Sequence, residues 1–205
     1  VRLERALRGP LGRIIANADS IRAGGEAELS PEYADYAGDI ASAGRHLMGL
    51  VEDLVDLQAI EREDFAVAAD PIDLADVARR AAGLLTLRAQ QAEVKIDSPK
   101  TDEHLPAIGE FRRALQILVN LIGNAVRHSP DDGTVLCAIS REDDGNVSVR
   151  ISDQGQGFTA ADLARAFRPF TQLSAKAARP GPSSGLGLWI ARLIAERHGG
   201  KIAAQ

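Results

Sequence analysis

Apolar residues recur at steps of three and four along the first sixty positions, and the recurrence predicts two helices. Leu3, Leu7, Leu11, Ile14, Ala18 and Ile21 share one helical face, and Gly24-Gly25 ends the pattern. Pro10 falls inside this helix and is expected to kink it, because it lacks an N–H and crowds the preceding turn. The second run is Tyr33, Tyr36 or Ala37, Ile40, Ala43 or Gly44, Leu47, Leu50 or Val51, Leu54 and Leu57, a heptad-like seam. Ser30 before Pro31 and Glu32 marks its start, Ser30 as N-cap and Pro31 at the first helical position. Two long helices joined by a short loop make a hairpin. One hairpin covers so long a seam poorly, whereas two hairpins bury it as a four-helix bundle, so a homodimer through residues 1–62 is expected.

The pattern then changes. Residues 61–71 are acidic, alanine-rich and without helical period, and 63–72 reads as a linker. From 73 to 205 a second domain is expected. Asp73 caps a helix running to about Gln90, and Glu93–Asp97 and Leu105–Ile108 are short strands. Phe111–His128 is a strong helix with Ala114, Ile117, Leu118, Leu121, Ile122 and Ala125 on its buried side. Gly133–Arg141 and Asn146–Ser152 form a hairpin around Asp143-Asp144-Gly145. Thr159–Phe167 and Gly185–His198 are helices, and Lys201 begins a last strand that looks truncated. The fold class expected is α+β, with helices packed on one face of a mixed sheet.

Composition narrows the function. Apolar residues are 45% of the chain but aromatic residues only 4%, so Leu, Ile, Val and Ala fill the core. A net charge of −5 and a pI near 5.4 leave no strongly basic patch, which argues against nucleic acid as a partner. The single cysteine, Cys137, forms no internal disulfide, in keeping with a reducing, cytoplasmic setting. No apolar run is long enough to span a bilayer, so membrane attachment is expected only through upstream segments. The chain opens inside a helical pattern and reads as a piece of a longer protein, either free in the cytoplasm or the cytoplasmic part of an anchored sensor.

Four short patterns in the second domain carry candidate chemistry. In Asn120-Leu-Ile-Gly-Asn124-Ala-Val-Arg127-His128, the asparagines lie four apart on one helix face. A carboxamide oxygen is a hard ligand suited to Mg²⁺, and Arg127 is a permanent cation suited to phosphate. Polar positions on any amphipathic helix would look similar. Asp153-Gln-Gly155-Gln-Gly157 follows an apolar strand, where a carboxylate can accept from an exocyclic amine and glycines admit close approach, although a plain turn gives the same string. Phe167-Arg-Pro169-Phe170 reads as a hydrophobic clip. Ser183-Ser184-Gly185-Leu186-Gly187-Leu188 opens a helix whose free N–H groups and positive dipole end suit an anion. Between the last two, Thr171–Pro182 has the Ala, Gly, Pro and Ser composition of a lid.

In this order and spacing, the four patterns resemble the N, G1, F and G2 boxes of the ATP-binding domain of two-component sensor histidine kinases, within the superfamily that includes gyrase-type ATPases. Residues 1–62 are similar to that family's dimerisation and phosphotransfer hairpin. The resemblance implies a two-layer α/β sandwich that takes ATP and Mg²⁺. It implies Mg²⁺ on Asn124, adenine on Asp153, and phosphates facing Arg127 and the helix start at Gly185, Leu186, Gly187 and Leu188. It places His128 near the base and adds Asn120, Gly155 and Gly157 to the ATP-binding set. Gyrase-type hydrolases have a glutamate where Asn120 stands, and asparagine cannot act as that base, so ATP would be held with little hydrolysis.

The hairpin departs from the family. Its box resembles His-Glu-Leu-Arg-Thr-Pro-Leu, and here the stretch is Arg5-Ala6-Leu7-Arg8-Gly9-Pro10-Leu11. Arg5 stands at the acceptor histidine, Ala6 at its acidic neighbour and Gly9 at the position used to orient water. A guanidinium is always charged and is no nucleophile at neutral pH. Two readings follow. One is a dimeric pseudokinase or scaffold that binds ATP and signals through a response regulator or another kinase. The other is an active kinase that uses another acceptor or that phosphorylates a partner in trans; His46 lies near the seam of the second helix and reads as a structural or surface residue, and neither His104 nor His198 is on the hairpin.

Overall fold

The computed structural model describes residues 2–24, 30–62, 65–171 and 184–204, the side chains of 2–5 excepted. It forms two compact units, one up to Arg62 and one built on residues 65–171 and 185–204.

The first unit is a helical hairpin, α1 (Arg2–Arg22) and α2 (Pro31–Ile60). Helix α1 runs through Pro10, and Gly24 follows its end with φ +73°, a conformation glycine adopts at little cost. Ser30 caps α2 through its carbonyl, which accepts from Tyr33 and Ala34, and not through its hydroxyl. The two helices meet on small residues: Ala18, Ala37, Ala41 and Gly44 are all buried. Arg8–Glu52 (2.8 Å) and Arg45–Asp19 (2.9 Å) flank the contact as exposed ion pairs, a class worth little to stability. The approach is closest at Gly44, where an added Cβ would stand 2.8 Å from Ile15 Cγ1. Gly44→Leu is therefore expected to lower stability by about 1–3 kcal/mol through overpacking. Urea denaturation followed by helical circular dichroism measures it, and an unchanged midpoint would mean that the helices do not pack this closely.

The apolar seam read from the sequence divides in two. Ala37, Ala41 and Gly44 face α1, while Tyr33, Tyr36, Ile40 and Leu47 stay exposed, as do Leu7, Ile14 and Ile21 on α1. Spacings of seven (7, 14, 21 and 33, 40, 47) make these exposed residues an unsatisfied stripe.

The second unit is α+β. In chain order it comprises β1 (Asp70–Asp73), α3 (Leu74–Leu84), α4 (Thr86–Gln91), β2 (Lys95–Asp97), β3 (Pro106–Gly109), α5 (Phe111–His128), β4 (Thr134–Arg141), β5 (Val147–Ser152), α6 (Ala160–Ala166) and α7 (Gly187–Arg197). Strand β1 pairs antiparallel with β3, from Asp70↔Gly109 to Asp73↔Pro106. A mixed sheet runs β2-β4-β5, with β2 parallel and β5 antiparallel to β4. Helices α3, α5 and α7 pack side by side as the second layer, α5 in the middle. Their inward residues, among them Val77, Ala81, Leu118, Ile122 and Val126, close on Val135 and Cys137 of β4. Burial pushes the Cys137 thiol up to about 11, so it is a core residue without thiolate reactivity at neutral pH.

Several sequence expectations shift. The stretch read as linker contributes strand β1 from Asp70 onward. The helix expected to run to Gln90 breaks at Leu85 into α3 and α4. Lys201–Ala204 carry no strand. Asp73 caps α3 as expected, its Oδ1 accepting from Ala75 N (3.0 Å) and from Leu105 N (2.8 Å). His104 Nδ1 lies 2.7 Å from the other oxygen, which gives that loop histidine a structural place. No helix among the described residues is long and apolar enough to cross a membrane.

Hydrogen bonds at two levels tie α5 and its N-cap to α7 and its C-cap. Near the start of α7, Asn120 Nδ2 donates to Gly187 O (3.1 Å). At the other end, the Glu110 N–H donates to His198 Nε2 (3.3 Å), and His198 Nδ1 lies 2.8 Å from Ile194 O. His198 must then carry its proton on Nδ1, because Nε2 is an acceptor. Along α5 the two ties are about 15 Å apart at 1.5 Å per residue. Beside the lower one, the Phe65 ring faces the guanidinium groups of Arg113 (5.4 Å) and Arg197 (5.9 Å).

Candidate nucleotide-binding site

Helix α5 supplies the first part of the site. Its strong amphipathy buries Leu118, Ile122, Ala125 and Val126, which turns Asn120, Asn124, Arg127 and His128 away from the core. Asn120 is engaged by the Gly187 carbonyl, so it acts as a clamp on the start of α7. Asn124 is half-buried, as Arg127 and His128 are. Burial lowers the pKa of Arg127, and Arg88 beside it adds to the effect, though a guanidinium stays charged. His128 is lowered by burial and by Arg127, with Asp153 pulling the other way, and so is neutral at pH 7.

The Asp153–Gly157 loop leaves the end of β5 and folds back on the end of α5. Gly155 makes that possible. An added Cβ there would lie 2.7 Å from His128 O and 2.8 Å from Asp153 Oδ1. The Gly155 N–H donates to Asp153 Oδ1 (2.8 Å), which orients the carboxylate. Among the described residues Asp153 Oδ2 accepts no hydrogen bond, and the side chain is exposed, so it can receive an amine. Gln154 pins the loop from the other side, its Oε1 accepting from Thr134 N (2.8 Å). Nothing in the DxGxG spacing marks Gln154 for that task. Gly157 has φ +69° and open space around it.

The remaining two patterns also meet. Gly185 has φ +67°, and a Cβ there would lie 2.9 Å from the Phe170 carbonyl carbon and 2.9 Å from Thr171 O. Phe170 itself has φ +57°, a strained setting for a bulky residue, and its ring is exposed, so the expected clip is not formed by Phe170. Phe167 is half-buried at the C-cap of α6, whose N-terminus is held by a Thr159–Asp162 capping box. Helix α7 begins at Gly187, and apolar Leu186 offers it no side-chain cap, which leaves its first turn disposed toward an anion. The side chain of Leu186 is only 1% exposed, so this expected ATP-binding residue is part of the core. Leu188 is half-buried. The lid read in 171–182 lies outside the described residues from 172 onward, and so does Ser183.

The four patterns thus converge pairwise: Gly155 on His128, Gly187 on Asn120, Gly185 on Phe170 and Thr171. The glycines at 155 and 185 serve backbone-to-backbone approach. What they assemble is an exposed carboxylate, a carboxamide, a guanidinium and a helix start around one end of α5. Those groups fit a purine nucleotide: an acceptor for an exocyclic amine, donors and dipole for phosphates. Among the described residues no three His, Cys, Asp or Glu side chains cluster to cage a metal, so Mg²⁺ would lean on Asn124 and the nucleotide's own phosphates. On the hairpin, Ala6 and Gly9 are exposed, and the Arg5 side chain lies outside the described residues. His46 is half-buried on α2 of the hairpin.

Comparison with known proteins adds the following. Residues 109–205 match the family of histidine kinase-, DNA gyrase B- and HSP90-like ATPases. Histidine protein kinase DivJ of Caulobacter vibrioides is 31% identical over 203 residues, 99% of this chain and 34% of that protein. Circadian input-output histidine kinase CikA of Synechococcus elongatus is 29% identical over 202 residues, 98% of this chain and 27% of that protein. The chain therefore spans about a third or less of these relatives. The crystal structure of full-length ShkA in complex with AMPPNP aligns over 100% of this chain and 42% of that one, with 28% identity and a TM-score of 0.72.

Proposed function

On the premise that this chain is a sensor histidine kinase core, with an ATPase domain of the histidine kinase, gyrase B and HSP90 type, we propose that it binds ATP with Mg²⁺ and does not phosphorylate itself. The carrying observation is a contrast between the two units. In the second unit all four nucleotide motifs are present and folded onto one another. In the first, Arg5, Ala6 and Gly9 occupy the three chemical positions, while Leu7, Arg8, Pro10 and Leu11 keep the register of the box.

On the protein side, Asp153 accepts from the adenine amine, Asn124 holds Mg²⁺, and Arg127 with the α7 start faces the phosphates. Neutral His128 lies beside the base. Asn120, clamped to Gly187, offers no base to activate water, so the nucleotide is retained. The exposed heptad stripe on α1 and α2 supports a homodimer formed as a four-helix bundle. The output then passes by conformation to a response regulator or a second kinase. The proposed setting is cytoplasmic.

Incubation of the chain with γ-labelled ATP and Mg²⁺ tests this reading. The expected result is ATP binding without label on protein. Base-stable, acid-labile label would sink it, and His46 would then be mapped first as the acceptor.

A further inference from the structure

We propose that Arg88, outside all four motifs, is a second cation for the phosphate chain of the nucleotide, acting beside Arg127. This rests on the nucleotide reading of the site. Helix α4 brings Arg88 across to α5 at Gly123, the residue between the two asparagines of the first motif. Its Nη1 lies 3.8 Å from where a Gly123 Cβ would stand. Glycine there leaves the lane along α5 open, where a larger side chain would fill it. One turn on is Arg127, close enough to Arg88 for their charges to repel. Arg88 is exposed, and among the described residues it makes no hydrogen bond or ion pair with an acid. Two guanidinium groups brought close together, one on α4 and one on the helix that carries Asn120 and Asn124, favour an anion near both. A polyphosphate matches this, since each guanidinium presents a fork of donors to phosphate oxygens. The sequence alone gave no hint, because Arg88 reads as a solvated residue on a short helix.

The test measures binding of MgATP and of AMP to the full chain and to Arg88→Ala, Arg88→Lys and Asn124→Ala. The expected result for Arg88→Ala is a loss of ATP affinity of about tenfold, as for one charge-assisted hydrogen bond. Less than a twofold change is expected for AMP, with most of the ATP affinity kept in Arg88→Lys. The salt dependence of ATP binding should also flatten. Unchanged ATP affinity in Arg88→Ala, with binding still lost in Asn124→Ala, overturns the role of Arg88 and leaves the site standing. Equal weakening of ATP and AMP also overturns it, since that is the mark of a packing defect. If the unaltered chain takes no ATP, the reading of the site falls first and this inference with it.

Discussion

Asp153→Ala is expected to weaken ATP binding about 10- to 150-fold, the range for a hydrogen bond to a charged group. The fold should stay intact. The side chain is exposed at the end of β5, and its one hydrogen bond among the described residues is local, from the Gly155 N–H. Asp153→Asn separates the two roles of the carboxylate. The amide oxygen can still accept from Gly155, so the loop keeps its shape, while the charge that draws the exocyclic amine is gone. GTP makes the complementary test, because guanine presents a carbonyl where adenine presents its amine. The unaltered chain should discriminate against GTP, and Asp153→Asn should narrow the gap. Asn124→Ala removes the proposed Mg²⁺ ligand and should weaken ATP in the presence of Mg²⁺ more than in its absence. Isothermal titration of each variant, with thermal unfolding as control, decides the matter. Wild-type affinity in Asp153→Ala would move the adenine elsewhere.

Much of this was legible in the sequence, and the exceptions have physical reasons. Helix α5 is amphipathic and sits in the middle of the helical layer, so Leu118, Ile122 and Ala125 are buried as the periodicity predicts, while Ala114, Ile117 and Leu121 are only half-buried and Gly123 and Val126 join the core. The β4–β5 hairpin followed from alternating apolar residues and a turn at Gly145, whose φ is +86°. Strand β1 was hidden because DPID is short, half-exposed and contains a proline, and only its pairing with β3 makes it a strand. The break at Leu85 was hidden because the apolar period continues across it, from Ala81 and Leu85 to Ala89. In the hairpin, one heptad pattern covered two separate faces. Alanine and glycine serve the contact within the hairpin, while larger residues are left outward. Periodicity locates a seam but does not say which partner covers it.

At the site, sequence marks named the residues and missed the ties between them. Gly155 suggested room for a ligand and Gly185 a helix start open to an anion. In the structure they make room for His128 and for Phe170 with Thr171, so their first task is to bring motif to motif. Asn120 belonged to a metal-and-phosphate motif by spacing, and in the structure its Nδ2 also donates to Gly187 O, a tie the spacing did not suggest. Leu186 belonged to the glycine-rich run, yet its side chain is in the core. Gln154 and Arg88 carry no signature, because each acts through a neighbour far along the chain: Thr134 for the first, Gly123 for the second.

The double variant Arg5→His, Ala6→Glu is expected to convert a chain that takes no label from γ-labelled ATP into one that does. The reasoning separates scaffold from chemistry. Leu7, Arg8, Pro10 and Leu11 keep the register of the phosphotransfer box, and Arg8 is anchored to Glu52 across the hairpin (2.8 Å). On the proposed reading, this box lacks a nucleophile and a group to draw off its proton. A guanidinium offers neither, whereas a neutral imidazole beside a carboxylate offers both. Arg5→His alone should gain label more slowly, since Ala6 provides no base, and adding Gly9→Thr should leave the gain unchanged, because the matching position of the family's box is the one expected to orient water for removal of phosphate from a partner. Label that is acid-labile and base-stable, and that disappears when Asp153→Ala is added, would show a nucleotide unit competent for transfer that lacks only an acceptor. Absence of label in the double variant, with ATP still bound, would place the loss in the nucleotide unit as well. The chain would then be a nucleotide-dependent scaffold in both of its units.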